Sequence, residues 1–148
     1  MARQTSPKTI QTINTGIFPA TIMFSNGLEY DEIIKELSKI KADEWVSGLS
    51  GDKEIIDKGF AFGLYRSIEN IRTKQLKHLY YIILKDSFDF SDYHYVVLAH
   101  EIIHICQFVS DGMFDRNKEI EAEAYLHSHI MTQCLNILRT KPPTRKRK

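Results

Sequence analysis

His100, Glu101 and His104 form an H-E-x-x-H run inside "AHEIIHICQF" (99–108), a stretch that is otherwise almost wholly apolar. On a helix, residues four apart project from one face, so the two imidazoles can bind a single cation while Glu101 stands beside them. The pattern is a zinc motif in which the glutamate serves as general base toward a metal-activated water. Ionisable groups left without partners in an apolar helix would be strongly destabilising, and a bound cation removes most of that penalty. The alternative is structural: two core histidines bonded to backbone carbonyls, with Glu101 reaching solvent.

A catalytic zinc takes three protein ligands and keeps a fourth position for water. With H-E-x-x-H at 100–104 and "EIEAEAY" at 119–125, the chain resembles the gluzincin metallopeptidases, the thermolysin-like class. In these the third ligand is a glutamate on a following helix, with an acidic residue four positions on. The resemblance covers about residues 60–140 and is to the minimal single-domain gluzincins often found in phage and mobile elements. It implies Zn2+ as cofactor, a peptide or protein as substrate, and an α+β zincin-like fold in which a small antiparallel or mixed sheet packs on helices. His100, His104 and Glu119 are then the metal ligands, Glu101 the catalytic base, and Glu123, where the family has aspartate, the group that orients His100.

Helical phase points to the same glutamate. At about 100° per residue, Ile120, Ala124, Met131, Cys134 and Leu138 define an apolar face, bordered by Glu119 and Glu123, with Glu121 opposite. An antiparallel helix pair sets Glu119 near the level of His104 and Glu123 near His100; the competing assignment makes Glu123 the ligand. Gln107 and Ser110 occupy the positions where an elongated H-E-x-x-H-x-x-G-x-x-H motif requires Gly and His, which excludes the metzincin pattern. His127 is a core histidine or an active-site border, Tyr95 and His94 border the cleft or pack, and Tyr125 and His129 map to outer faces. Met113 reads as a hydrophobic plug.

The elements that must hold these groups follow from periodicity. Residues 1–16 are polar and predicted to be an arm; "FPATIMF" (18–24) reads as a strand closed by the Asn26-Gly27 turn, and "YDEIIKELSKIK" (30–41) as an amphipathic helix. A loop with one helical turn is expected over 45–59, then a hairpin of strands 60–68 and 76–85. The gluzincin resemblance implies a peptide-binding edge in the strand at 78–85, and a central core strand is the alternative. "DSFDFSD" (86–92) offers Asp and Ser caps to the motif helix, Gly112 a stop, and 117–139 a second long helix.

A chain of 148 residues with 43% hydrophobic and 26% charged residues suits one globular domain, 17–140, followed by a basic tail. Five of its twenty Lys and Arg residues fall in KPPTRKRK (141–148), so subtracting them from the net +1 leaves −4 for the rest. Nucleic-acid binding is therefore expected only through the tail, if that segment is more than a solvated terminus. Cys106 and Cys134 show no disulfide or C-x-x-C spacing and read as reduced thiols. With no signal core and no membrane-length apolar run, a cytoplasmic protein is expected. Zinc-dependent peptide hydrolysis is the expected function. Its rivals are a non-catalytic assembly or virion component retaining a zincin scaffold, and a nucleic-acid accessory protein acting through the tail.

Overall fold

The computed structural model describes residues 6–15, 20–113 and 120–140. They form an α+β fold in three layers around a four-stranded mixed sheet. The strands are β1 (Thr9–Asn14), β2 (Thr21–Asn26), β3 (Ala61–Glu69) and β4 (Leu76–Leu84). Their order is β1-β2-β4-β3: β2 and β4 run parallel, and each outer strand is antiparallel to its neighbour. Thr9–Asn14, expected within a polar arm, is thus an edge strand. The hairpin expected from the two aromatic and β-branched runs is β3–β4.

Alternation along the strands divides the core in two. Leu79, Tyr81 and Ile83 of β4 and Met23 of β2 face three helices, α1 (Tyr30–Lys39), α2 (Asp43–Gly48) and α3 (Lys53–Lys58), through Ile33, Leu37, Leu49 and Ile56. Tyr80, Ile82 and Leu84 of β4 and Ile22 and Phe24 of β2 face α4 (Asp92–Met113) and α5 (Ile120–Leu138), through Leu98, Ile102, Ile105, Leu126 and Ile130. The expected loop over 45–59 therefore holds two short helices, α2 and α3. The helix α4 runs through Gly112, which does not stop it at that point.

The approach to α4 is fixed by a buried amide. Asn26, at the end of β2, donates through Nδ2 to Ser6 Oγ (2.7 Å) and to the Pro7 carbonyl (2.8 Å), and its Oδ1 accepts from the Phe88 N–H (3.0 Å). Ser6 Oγ in turn donates to the Phe88 carbonyl at 2.7 Å. The chain reverses after Asn26 at Gly27, whose φ of +74° suits glycine. Ser91 then caps α4, its Oγ accepting from the His94 N–H at 3.2 Å, while Asp89 Oδ1 accepts from the Ser91 N–H at 2.9 Å. The expected Asp and Ser caps are present. No described helix is long and apolar enough to cross a membrane.

Candidate metal centre

Leu98, Ile102, Ile105 and Val109 anchor α4 on the sheet, and this fixes which way the rest of the helix points. The flank of α4 away from α5 lies over the β3 side of the sheet. On the other side α5 reaches toward β1, where His129 Nε2 meets the Asn14 carbonyl at 2.9 Å. His100 is exposed, and Glu101 and His104 are half-buried. The two imidazoles turn toward each other: His100 Nε2 and His104 Nε2 are 3.0 Å apart, with the rings nearly perpendicular at 88°. Neither is a core histidine satisfied by a carbonyl.

Two nitrogens on one tetrahedral zinc, at Zn–N distances of about 2.05 Å, are separated by about 3.3 Å. The observed separation is close to that, so the donor pair fits a zinc ion and also fits a shared proton. Glu101 has no hydrogen-bond or ion-pair partner among the described residues, which leaves its carboxylate free to accept a proton.

The third donor is not brought to the pair. Among the described residues no group of three His, Cys, Asp or Glu side chains is gathered closely enough to hold a metal. Glu119, the expected ligand, lies outside the described residues. Glu123 is half-buried and close enough for its charge to act on Cys106, but it shares no hydrogen bond with His100. Burial first, and then the negative charge of Glu123, push the Cys106 thiol up to about 12; burial alone raises Cys134. Both cysteines stay protonated near neutral pH, free of any disulfide, and are poor candidates for ligands.

The apolar face of α5 is rotated from the expected one. Leu126, Ile130, Cys134 and Leu138 are buried, Met131 is half-buried and Ala124 is exposed, because the helix packs on both α4 and the sheet. That rotation turns Glu123 inward while Glu121 stays exposed, as expected. His127 is half-buried and makes no hydrogen bond among the described residues, so it is not the satisfied core histidine. Tyr125 is exposed, as expected, whereas His129 is half-buried and tied to β1. Tyr95 does not border the pair: it packs edge-on against Phe88 at 5.1 Å, about 140° around α4 from His100. His94 is held in the capping loop beside Asp89, with Nδ1 3.1 Å from Oδ1.

Two features near the pair escaped the motif reading. Tyr65 on β3 stacks on Phe108, one turn beyond His104, at 5.7 Å, and its hydroxyl lies 2.5 Å from His78 Nδ1. Their signal was the two-residue period of the hairpin, which sends Gly63, Tyr65, His78 and Tyr80 to the same face of the sheet. The other is the edge itself. The strand at 78–85 is the central β4, flanked by β3 and, over Tyr80–Leu84, by β2, so that part offers no edge to a peptide; among the described strands β3 is the outer one beside the motif. Phe60 O accepts from Lys85 N and Asn70 N donates to Gln75 O, so even-numbered residues of β3 bond to β4. The N–H and C=O groups of Ala61, Gly63, Tyr65 and Ser67 consequently face the open edge.

No family model matches the chain, and no similar curated protein or solved structure was found.

Proposed function

We propose that the chain is a zinc-dependent peptidase of zincin-like fold, with His100, His104 and Glu119 as metal ligands and an extended polypeptide as substrate. The observation that carries this reading is the convergence of the two Nε2 atoms on the flank of α4 beside β3, whose outer edge pairs with no strand among the described residues. Zinc held there supplies a Lewis acid and a water that is nucleophilic at neutral pH. Glu101, without a partner among the described residues and on the same helix, takes the proton of the attacking water and returns it to the leaving amine. The outward peptide groups of β3 pair with the substrate backbone, as in strand addition.

Glu101→Gln tests the reading, because it removes the base and leaves the proposed ligands in place. The expected result is retained zinc with hydrolysis lowered by about 100-fold or more. The assay is cleavage of a diverse peptide library, with chelated and zinc-restored controls. Equal turnover by the variant would remove Glu101 from the chemistry.

A non-catalytic assembly role is the second reading. It is favoured by Tyr93 and Val96 on α4, 66% and 67% exposed, with Ile103 at 45%. Such a component would hold zinc and cleave nothing in the same assay.

A further inference from the structure

At Gly63, β3 and the motif helix meet backbone to backbone. A Cβ built on Gly63 would stand 2.5 Å from the carbonyl oxygen of Glu101, 3.3 Å from its carbonyl carbon and 3.2 Å from His104 Cβ. Ordinary contacts between such atoms begin near 3.5 Å. The obstructing atom is main chain within a helix, where it cannot rotate away as a side chain would. Any larger residue must therefore push α4 off β3 by roughly 1 Å.

The same residue presents its N–H and C=O to the open edge, so one backbone position touches both halves of the proposed site. We infer that Gly63 is a positioning residue that sets the distance between the peptide-binding edge of β3 and the His100–His104 pair. This rests on the peptidase reading, in which a substrate must lie on the edge and reach the metal at once. The two histidines ride on one helix, so a shift of α4 carries them together and leaves their mutual geometry intact. What changes is the span from edge to metal, and a misplacement of about 1 Å can cost a factor of about 100 in rate.

Two zinc-directed probes separate this role from a merely structural one. Acetohydroxamate reads the metal alone, whereas N-acetyl-trialanine hydroxamate reads the metal and the edge together. In Gly63→Ala the expected outcome is unchanged zinc and acetohydroxamate affinity with the peptide hydroxamate weakened about 10-fold or more. Ala61→Val, which enlarges the next residue of β3 on the same face, should shift the same ratio by a smaller factor and stands in if Gly63→Ala does not fold. Ile56→Val, in the core on the opposite face of the sheet, should lower stability and leave the ratio unchanged. A wild type that binds acetohydroxamate but gains nothing from the peptide portion overturns the inference, as does a ratio unmoved in Gly63→Ala or a ratio moved equally in Ile56→Val. Failure of the wild type to bind zinc or either probe overturns the metal reading itself, and the inference with it.

Discussion

The two helical layers covering the sheet are built from different chemistry. On the α1–α3 side, short amphipathic helices bury Ile33, Leu37 and Ile56 and dress their outer surfaces with ion pairs: Lys39–Glu36, Lys53–Asp31 at 2.5 Å and Lys58–Glu54 at 2.5 Å. Arg66 of β3 pairs with Asp52 on that side at 3.0 Å. On the other side, α4 and α5 contain no Lys or Arg at all. Their described outer surface carries exposed Tyr93, Val96 and Ile103 around two histidines with touching nitrogens. A layer needed only for stability would resemble the first. Exposed apolar side chains occur on both layers, Ile40 and Ile55 on the first, so what sets the second apart is the absence of basic residues and the histidine pair.

The sharpest way to break this comparison is to exchange the consequences of mutation. The variant His100→Ala, His104→Ala should lose the zinc expected in the wild type, about one per chain by elemental analysis, while its unfolding free energy measured without metal changes little, since His100 is exposed and His104 only half-buried. Leu37→Ala, on the opposite layer, should do the reverse. Leu37 is fully buried, so the change costs about 3 kcal/mol in urea unfolding and leaves zinc in place. Full zinc retention by the double variant would reduce the histidine pair to a local hydrogen bond.

The proposed third ligand gives the next largest expected effect. Glu119→Gln should weaken zinc affinity about 10-fold or more, Glu123→Gln by a smaller factor, and exposed Glu121→Gln not at all. Competition against a calibrated chelator measures all three. Loss of zinc in Glu123→Gln alone would transfer the ligand role to Glu123.

What could be read in the sequence was local, and what was missed depends on distant pairing. The H-E-x-x-H spacing, the Asn26-Gly27 reversal, the β3–β4 hairpin and the Ser91 cap are each set within a few residues, so their patterns are complete in one stretch of chain. The position of β4 in the sheet is different. It depends on the parallel pairing of Ile22–Asn26 with Tyr80–Leu84, more than fifty residues apart, and nothing in "HLYYIILK" distinguishes a central strand from an edge. The face of α5 failed for a related reason: Ala124 and Met131 fit one helical phase, Leu126 and Ile130 another, Cys134 and Leu138 lie between them and are buried, and only packing against the sheet selects the second. Asn26 looked like a turn residue, yet its side chain bonds partners near position 6 and at 88. Gly63 carries no local signal, because its reason is the backbone of Glu101.

The thiols allow the layers to be compared by pH. Cys106 and Cys134 both lie on the α4–α5 side and are held above the ordinary thiol value of 9, whereas Tyr81, on the α1–α3 side, is held above the ordinary phenol value of 10. A folded state whose group is harder to ionise than in the unfolded chain is most stable below the unfolded value and loses stability as pH rises above it. Between pH 9 and 10 the loss therefore comes first from the cysteine side, approaching about 1.4 kcal/mol per pH unit for each thiol once ionised in the unfolded state. Cys106→Ala should flatten the slope of unfolding free energy above pH 9, and an unchanged slope would show that the thiol is not sheltered.

The smallest expected effects are at the surface, where the layers differ only in what solvent sees. Lys58 is 74% exposed in its pair with Glu54, and such pairs between consecutive helical turns contribute about 0.3–0.5 kcal/mol. Val96, 67% exposed on α4, has little more burial to lose. Lys58→Ala and Val96→Ser should therefore each change unfolding free energy by no more than about 0.5 kcal/mol, and thermal denaturation alone would rate the two positions alike. They should part in peptide hydrolysis. Val96 lies four residues before His100 on the same stripe of α4, where a substrate side chain covering it would bury apolar area worth about 1 kcal/mol, so Val96→Ser should raise KM about threefold to tenfold while kcat stays constant. Lys58→Ala, on the far side of the sheet, should leave both constants unchanged. Equal KM values for Val96→Ser and the wild type would mean that substrate does not cover this stripe, and the contrast between the layers would then rest on the histidines and on charge alone.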